Sequence, residues 1–113
     1  MIFGVDVSTS DARATLTVHG DLDLGTSHRL RRVLVELDEA GATDVVVDLG
    51  DVDLLDSTGL GVLIGGLRRA RQAGGELRLA RLSPRHRELL SVTGLDRVFP
   101  LTVGSGGPPP SPT

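Results

Sequence analysis

The chain has 113 residues, enough for one domain whose core needs no covalent staples. It contains no Cys, which excludes a disulfide framework and a thiolate metal centre, and its net charge of −3, with acids and bases mixed, argues against a general nucleic-acid binder. All 12 basic residues are Arg, and two Phe are the only aromatics, so no stacking platform for single strands or RNA exists.

No apolar stretch approaches the ~20 residues of a membrane span. Met1-Ile2-Phe3-Gly4-Val5-Asp6 lacks a basic n-region and a cleavage site. A soluble cytoplasmic protein is the expectation.

In chain order, Ile2–Val7 and Ala14–Val18 alternate apolar and polar side chains around Ser8-Thr9-Ser10-Asp11, which predicts a β-hairpin with one face on the core. Gly20–Gly25 reads as a loop rich in glycine and carboxylate. Thr26 or Ser27 can cap a helix over 27–40 that carries Leu30, Val33, Leu34 and Leu37 on one face and ends at Gly41. Val45, Val46, Val47 and Leu49 form a short β-branched run, the mark of a strand buried on both faces. Leu60, Leu63, Ile64 and Leu67 then recur at helical spacing, predicting a helix over 58–73 that Gly74-Gly75 stops. Glu76–Ala80 alternates again as a fourth strand, and Ser83-Pro84 starts a helix over 84–93. Val98–Leu101 is too short to assign. Residues 104–113, rich in Gly and Pro, form the expected disordered tail of a domain spanning 1–103.

A hairpin followed by alternating helix and strand predicts a mixed α/β sheet of four or five strands with helices packed on it and right-handed crossovers. In such sheets sites form beyond the carboxyl ends of strands, where Asp23 and Asp56-Ser57 would share one rim. Asp56-Ser57-Thr58-Gly59-Leu60-Gly61 sets a hydroxyl between a carboxylate and a glycine where strand gives way to helix. Ser57 therefore sits at or beside the helix N-cap. Its oxygen can cap free backbone N–H groups, or the position can host a phosphate, because helix N-termini favour anions.

Other chemistries fit poorly. Gly59-Leu60-Gly61 begins a dinucleotide fingerprint, but Ile64 stands at the third glycine. A chain without lysine supplies neither a P-loop nor the lysine of a receiver-type phosphoaspartate site, and Leu55 spoils a nucleophile elbow around Ser57. His19, His28 and His86 lack metal-ligand or triad spacing and read as surface or partly buried residues. Asp21, Asp23, Asp51, Asp53 and Asp56 match no EF-hand loop and read as a solvated acidic rim. Arg29-Arg31-Arg32 and Arg68-Arg69-Arg71 read as solvated helix faces. Neither an enzyme nor a cofactor is indicated.

The stretch Asp48–Leu63, together with Gly20-Asp21-Leu22-Asp23, resembles the signature of STAS domains, and most of all that of stand-alone bacterial anti-sigma factor antagonists. The resemblance runs from about Ile2 to Leu101. It implies a binding module that, unphosphorylated, holds an anti-sigma factor serine kinase and so frees a sigma factor. Ser57 matches the phosphoacceptor, and a separate serine phosphatase resets the phosphorylated form. Asp21, Asp23, Thr26, Asp56, Ser57, Thr58, Gly59 and Leu60 are the implied partner-binding set. No metal, nucleic acid or membrane enters, and a monomer or weak dimer is expected. The rival readings are a STAS accessory subunit of a bacterial lipid-transport ATPase and a stressosome-type scaffold.

Overall fold

The computed structural model describes residues 2–101; the tail expected over 104–113 lies outside them. Four strands form one sheet in the order β1-β2-β3-β4: β1 Gly4–Ser10, β2 Arg13–Leu22, β3 Asp44–Leu55 and β4 Glu76–Ala80. β1 and β2 are antiparallel, whereas β2–β3 and β3–β4 are parallel. Helices α1 Ser27–Glu39 and α2 Ser57–Gln72 are the two crossovers, and α3 Pro84–Thr93 follows β4. Because both crossovers step the same way along the sheet, right-handed connections put α1 and α2 on one face. A mixed α/β sheet with a leading hairpin is thus the architecture.

The core is aliphatic. Along β2, Ala14, Leu16, Val18 and Leu22 are buried against the helices, while Arg13, Thr15 and Asp21 face solvent. Leu30 and Leu34 of α1, Leu63 and Leu67 of α2, and Leu77 and Leu79 of β4 complete the layer. Each fully buried leucine contributes about 1.5–3 kcal/mol relative to exposure. Phe3 precedes β1 and is buried, with the Arg29 guanidinium 5.0 Å above its ring centre, so Arg29 is more than a solvated charge.

The sheet departs from the sequence reading in three places. The hairpin turns at Asp11-Ala12 rather than over Ser8–Asp11, with Asp11 at φ 55, and Val7 is left half-exposed. β2 continues through Gly20–Leu22, which the composition had marked as loop. β3 runs 12 residues instead of five and is buried on one face only, since Val46 and Asp48 are half-exposed. Its second half escaped notice because the pairing slips. Two steps of β2 oppose three of β3 between Thr17 and His19, and again between Gly20 and Leu22. Each slip adds one residue to β3 and bends it, as a bulge does. The inward residues therefore fall at Leu49, Val52 and Leu55, every third position. Near the other end of the chain, Leu101 only bridges Leu79, and Pro100 O accepts from Leu79 N–H, so the fifth strand shrinks to one rung.

The face opposite α1 and α2 carries a chain of polar contacts across β1, β2 and β3 to the residue just past β4. His19 Nε2 lies 2.7 Å from Asp6, and its Nδ1 lies 3.1 Å from Asp51. Arg81, just past β4, gives Nε to both oxygens of Asp48 at 3.0 Å and approaches Asp51 at 3.7 Å. Its guanidinium lies over Gly50, where a Cβ would come within 2.7 Å of it. The hydrogen bond to Asp48, then the charge of Asp48, raises the Arg81 pKa above its ordinary value, so this group stays charged at any working pH.

One histidine and two arginine assignments also change. His86 is buried, not partly exposed, because its Nε2 reaches Asp53 O at 2.9 Å. Arg69 is half-buried with Nε and one terminal nitrogen sealed from solvent, and Arg71 binds Glu76 and the carbonyl of Val98.

The turn from α2 to β4 is set by close approach. A Cβ at Gly75 would overlap the carbonyl of Thr43, the same oxygen that accepts from Glu76 N–H at 3.0 Å as β4 begins. Gly75→Ala should therefore destabilise the protein by about 3 kcal/mol or more, a backbone clash no rotamer relieves. Urea unfolding measures it.

Candidate functional site

The carboxyl ends of β2 and β3 are joined rung to rung, with Leu22 opposite Leu55. Asp56 N–H donates to Leu22 O at 3.3 Å, so the chain leaving β3 is tied to the chain leaving β2. The turn after β2 and the start of α2 consequently adjoin on one rim. Asp23 stands at the first, Ser57 at the second.

The turn Asp23–Thr26 is heavily bonded. Asp23 Oδ1 accepts from Gly25 N–H at 3.0 Å and from the Thr26 hydroxyl at 3.2 Å. The Thr26 hydroxyl also lies 2.6 Å from Asp21 O and accepts from Asp23 N–H at 3.0 Å. Asp23 O accepts from Ser27 N–H at 2.8 Å. Thr26 is the N-cap of α1 by position, yet its side chain makes no cap bond because the turn claims it; Ser27 is buried within the helix. Asp21 is exposed, and its Oδ1 accepts from Leu54 N–H at 3.1 Å, at the residue just before the Leu22–Leu55 rung.

At α2, Asp56 is the N-cap. Its backbone is extended, and its Oδ1 accepts from Gly59 N–H at 3.0 Å, closing one of the donors a helix start leaves free. Ser57 is the first helical residue. It is exposed, and its hydroxyl bonds to none of the described residues. Thr58 is half-buried. Gly59 and Leu60 are buried, so they seat the helix rather than face outward. At Gly59 a Cβ would come within 2.8 Å of both Leu22 O and Leu22 Cγ, which makes glycine the residue that lets α2 press against β2.

The acidic set divides. Asp21, Asp23 and Asp56 lie on this rim, whereas Asp51 belongs to the His19–Arg81 contacts on the open face. Asp53 is exposed, and its carbonyl is taken by His86 of α3. Two residues of the rim went unremarked in the sequence: Leu24 is 77% exposed and Leu54 49% exposed. Their signal was available only as apolar residues in otherwise polar surroundings.

Comparison with known proteins fits this geometry. The protein-family description "Mlab, STAS domain" matches residues 5–103. An anti-sigma-B factor antagonist of Bacillus subtilis is 36% identical over 107 residues, covering 95% of this chain and 97% of that protein. The crystal structure of an anti-sigma factor antagonist from Mycobacterium paratuberculosis superposes with a TM-score of 0.78 at 26% identity, covering 88% of this chain and 85% of that one. The anti-sigma factor antagonist SpoIIAA of Bacillus, 20% identical, shares the fold in its unphosphorylated form (TM-score 0.76, covering 90% and 89%) and in its phosphorylated form (0.70, covering 90% and 92%). The chain belongs to the STAS domain family. The curated relatives it matches at 32–36% identity are named as anti-sigma-B factor antagonists, regulatory proteins rather than enzymes.

Loss of the cap should be measurable in isolation from any partner. Asp56→Ala should cost about 1 kcal/mol, with Asp56→Asn close to the parent, because the amide oxygen still accepts from Gly59. Gly59→Ala should cost about 1–3 kcal/mol through overpacking on Leu22. Thermal and urea unfolding of the three variants would show this order.

Proposed function

We propose that this chain is an anti-sigma factor antagonist switched by phosphorylation of Ser57. The observation that carries the reading is the contrast at the rim. Asp21, Asp23 and Asp56 are all engaged with backbone N–H groups, whereas the Ser57 hydroxyl stands exposed with no bond to the described residues. The names of the relatives support the partner: the Bacillus subtilis protein is an antagonist of an anti-sigma-B factor.

In this reading the unphosphorylated rim docks on an anti-sigma factor serine kinase, which then releases its sigma factor. Ser57 Oγ attacks the γ-phosphorus of ATP held by the kinase. The γ-phosphoryl passes to Oγ, the hydroxyl proton goes to a base of the kinase, and ADP remains. The transferred group adds about −1.5 to −2 charge and three acceptor oxygens in a tight contact. It faces the phosphates of the nucleotide that supplied it, and it sits among Asp23 and Asp56. Repulsion and the desolvation of a hydrated dianion both favour separation. A serine phosphatase restores the binding form by transferring the phosphoryl group to water.

The fold need not change. A phosphate at Ser57 lies at the positive end of a 16-residue helix, where the dipole and first-turn N–H groups stabilise an anion. SpoIIAA, whose unphosphorylated and phosphorylated forms both share the fold, supports a switch by local charge rather than by refolding.

The test uses the anti-sigma factor kinase from the same organism. With ATP, the wild-type protein should gain one phosphate by mass spectrometry and Ser57→Ala none. Ser57→Asp, with one charge and fewer acceptors than phosphoserine, should bind that kinase more weakly than wild type. Ser57→Ala should bind at least comparably. Phosphate on Thr58 would move the acceptor by one residue, and equal affinity of all three forms in calorimetry would leave Ser57 with no switching role.

A further inference from the structure

Building on that reading, we infer that Leu24 and Leu54 are the anchors of the kinase interface and that the rim carboxylates act through them as positioning residues. Among the described residues, six large apolar side chains are exposed, and the two leucines in that set both stand on this rim. The remaining described leucines are in the core or packed against it. An exposed leucine costs little alone, so two at the place where a partner must dock are the informative ones.

Each is held out by a carboxylate. Leu24 sits inside the Asp23–Thr26 turn, whose shape is fixed by Asp23 Oδ1 accepting from Gly25 N–H at 3.0 Å and from the Thr26 hydroxyl at 3.2 Å. Leu54 lies in the second irregular stretch of β3, where its N–H is taken by Asp21 Oδ1 at 3.1 Å. That bond stands in where the slip between β2 and β3 breaks the regular ladder. The third carboxylate, Asp56, caps Gly59 and so fixes Ser57. The three acids thus hold backbone, and the groups they hold in place are Leu24, Leu54 and Ser57.

The partner surface this fits has apolar sockets close to the nucleotide, shaped to take Leu24 and Leu54 beside Ser57. Such a surface is protein. A nucleic-acid backbone or an anionic membrane would be repelled by Asp21, Asp23, Asp53 and Asp56. Central apolar anchors inside a polar rim are also the usual anatomy of a protein interface.

The experiment takes the purified kinase that phosphorylates the wild-type chain and measures affinity by calorimetry. Leu24→Ala and Leu54→Ala should each weaken binding on the order of ten-fold or more, with thermal midpoints near wild type. Val7→Ala should not, since Val7 is 45% exposed but lies on β1 opposite Leu16, away from the rim. Asp23→Asn keeps the oxygen that accepts from Gly25 and should bind near wild type, whereas Asp23→Ala should weaken binding. The pair Asp23→Ala with Leu24→Ala should lose hardly more than Leu24→Ala alone. Leucine variants that bind like wild type, or Asp23→Asn as damaging as Asp23→Ala, would overturn the inference by making the carboxylate charge the contact. Failure of every kinase of the organism to bind or phosphorylate the wild-type chain would instead strike the reading beneath it, and the inference with it.

Discussion

The contact between the end of β2 and the first turn of α2 governs everything at the working end of this molecule. Leu22 receives Asp56 N–H through its carbonyl, and its side chain leaves room above it for a hydrogen atom but not for a methyl group at Gly59. A bulkier residue there would push α2 away from the sheet. Ser57 would then leave the level of Asp23, and Asp56 would lose the geometry that lets it cap the helix. A glycine in a helix normally costs about 1 kcal/mol in backbone entropy. Here that cost is offset by close packing on the neighbouring strand.

The rim also explains why β3 is so irregular. A uniform strand of 12 residues would alternate sides throughout and carry its acids to alternating faces. The two slips against β2 reset the phase, so Leu49, Val52 and Leu55 all reach the core while the residues between them stay outside. The strand thereby delivers both an apolar floor and an exposed Leu54, next to the helix that presents Ser57. Bulges at the end of a sheet commonly re-aim side chains in this manner.

This organisation was legible in the sequence to the extent that it was periodic. The hairpin, the three helices and the strand cores follow from repeats of two and of 3.6, and the shared rim follows from the topology. The second half of β3 was hidden because its bulges impose a spacing of three, which belongs to neither template. Adjacent Asp56 and Ser57 are both good caps, and only backbone conformation decides between them. His86 reads as a surface residue until its ring nitrogen finds the carbonyl of Asp53, 33 positions away. Asp21 and Leu54 are equally far apart in sequence, so their bond leaves no trace in local pattern. Leu24 and Leu54 were passed over for a different reason: a single exposed leucine is ordinary, and its meaning comes from its neighbours.

The bond from Leu54 to Asp21 has a consequence for how such a protein is supervised in a cell. Ser57 lies two residues beyond a rung that joins segments more than thirty positions apart, and the turn bearing Leu24 comes from the distant one. In an unfolded copy those pieces scatter, and the dipeptide Asp56-Ser57 no longer tops a helix. The surface proposed for recognition is therefore a conformational epitope, which a linear peptide spanning Asp48–Leu63 does not reproduce. Under the proposed function, a nascent or damaged copy neither sequesters the kinase nor consumes its ATP. In that proposed switch, folding itself is the first checkpoint.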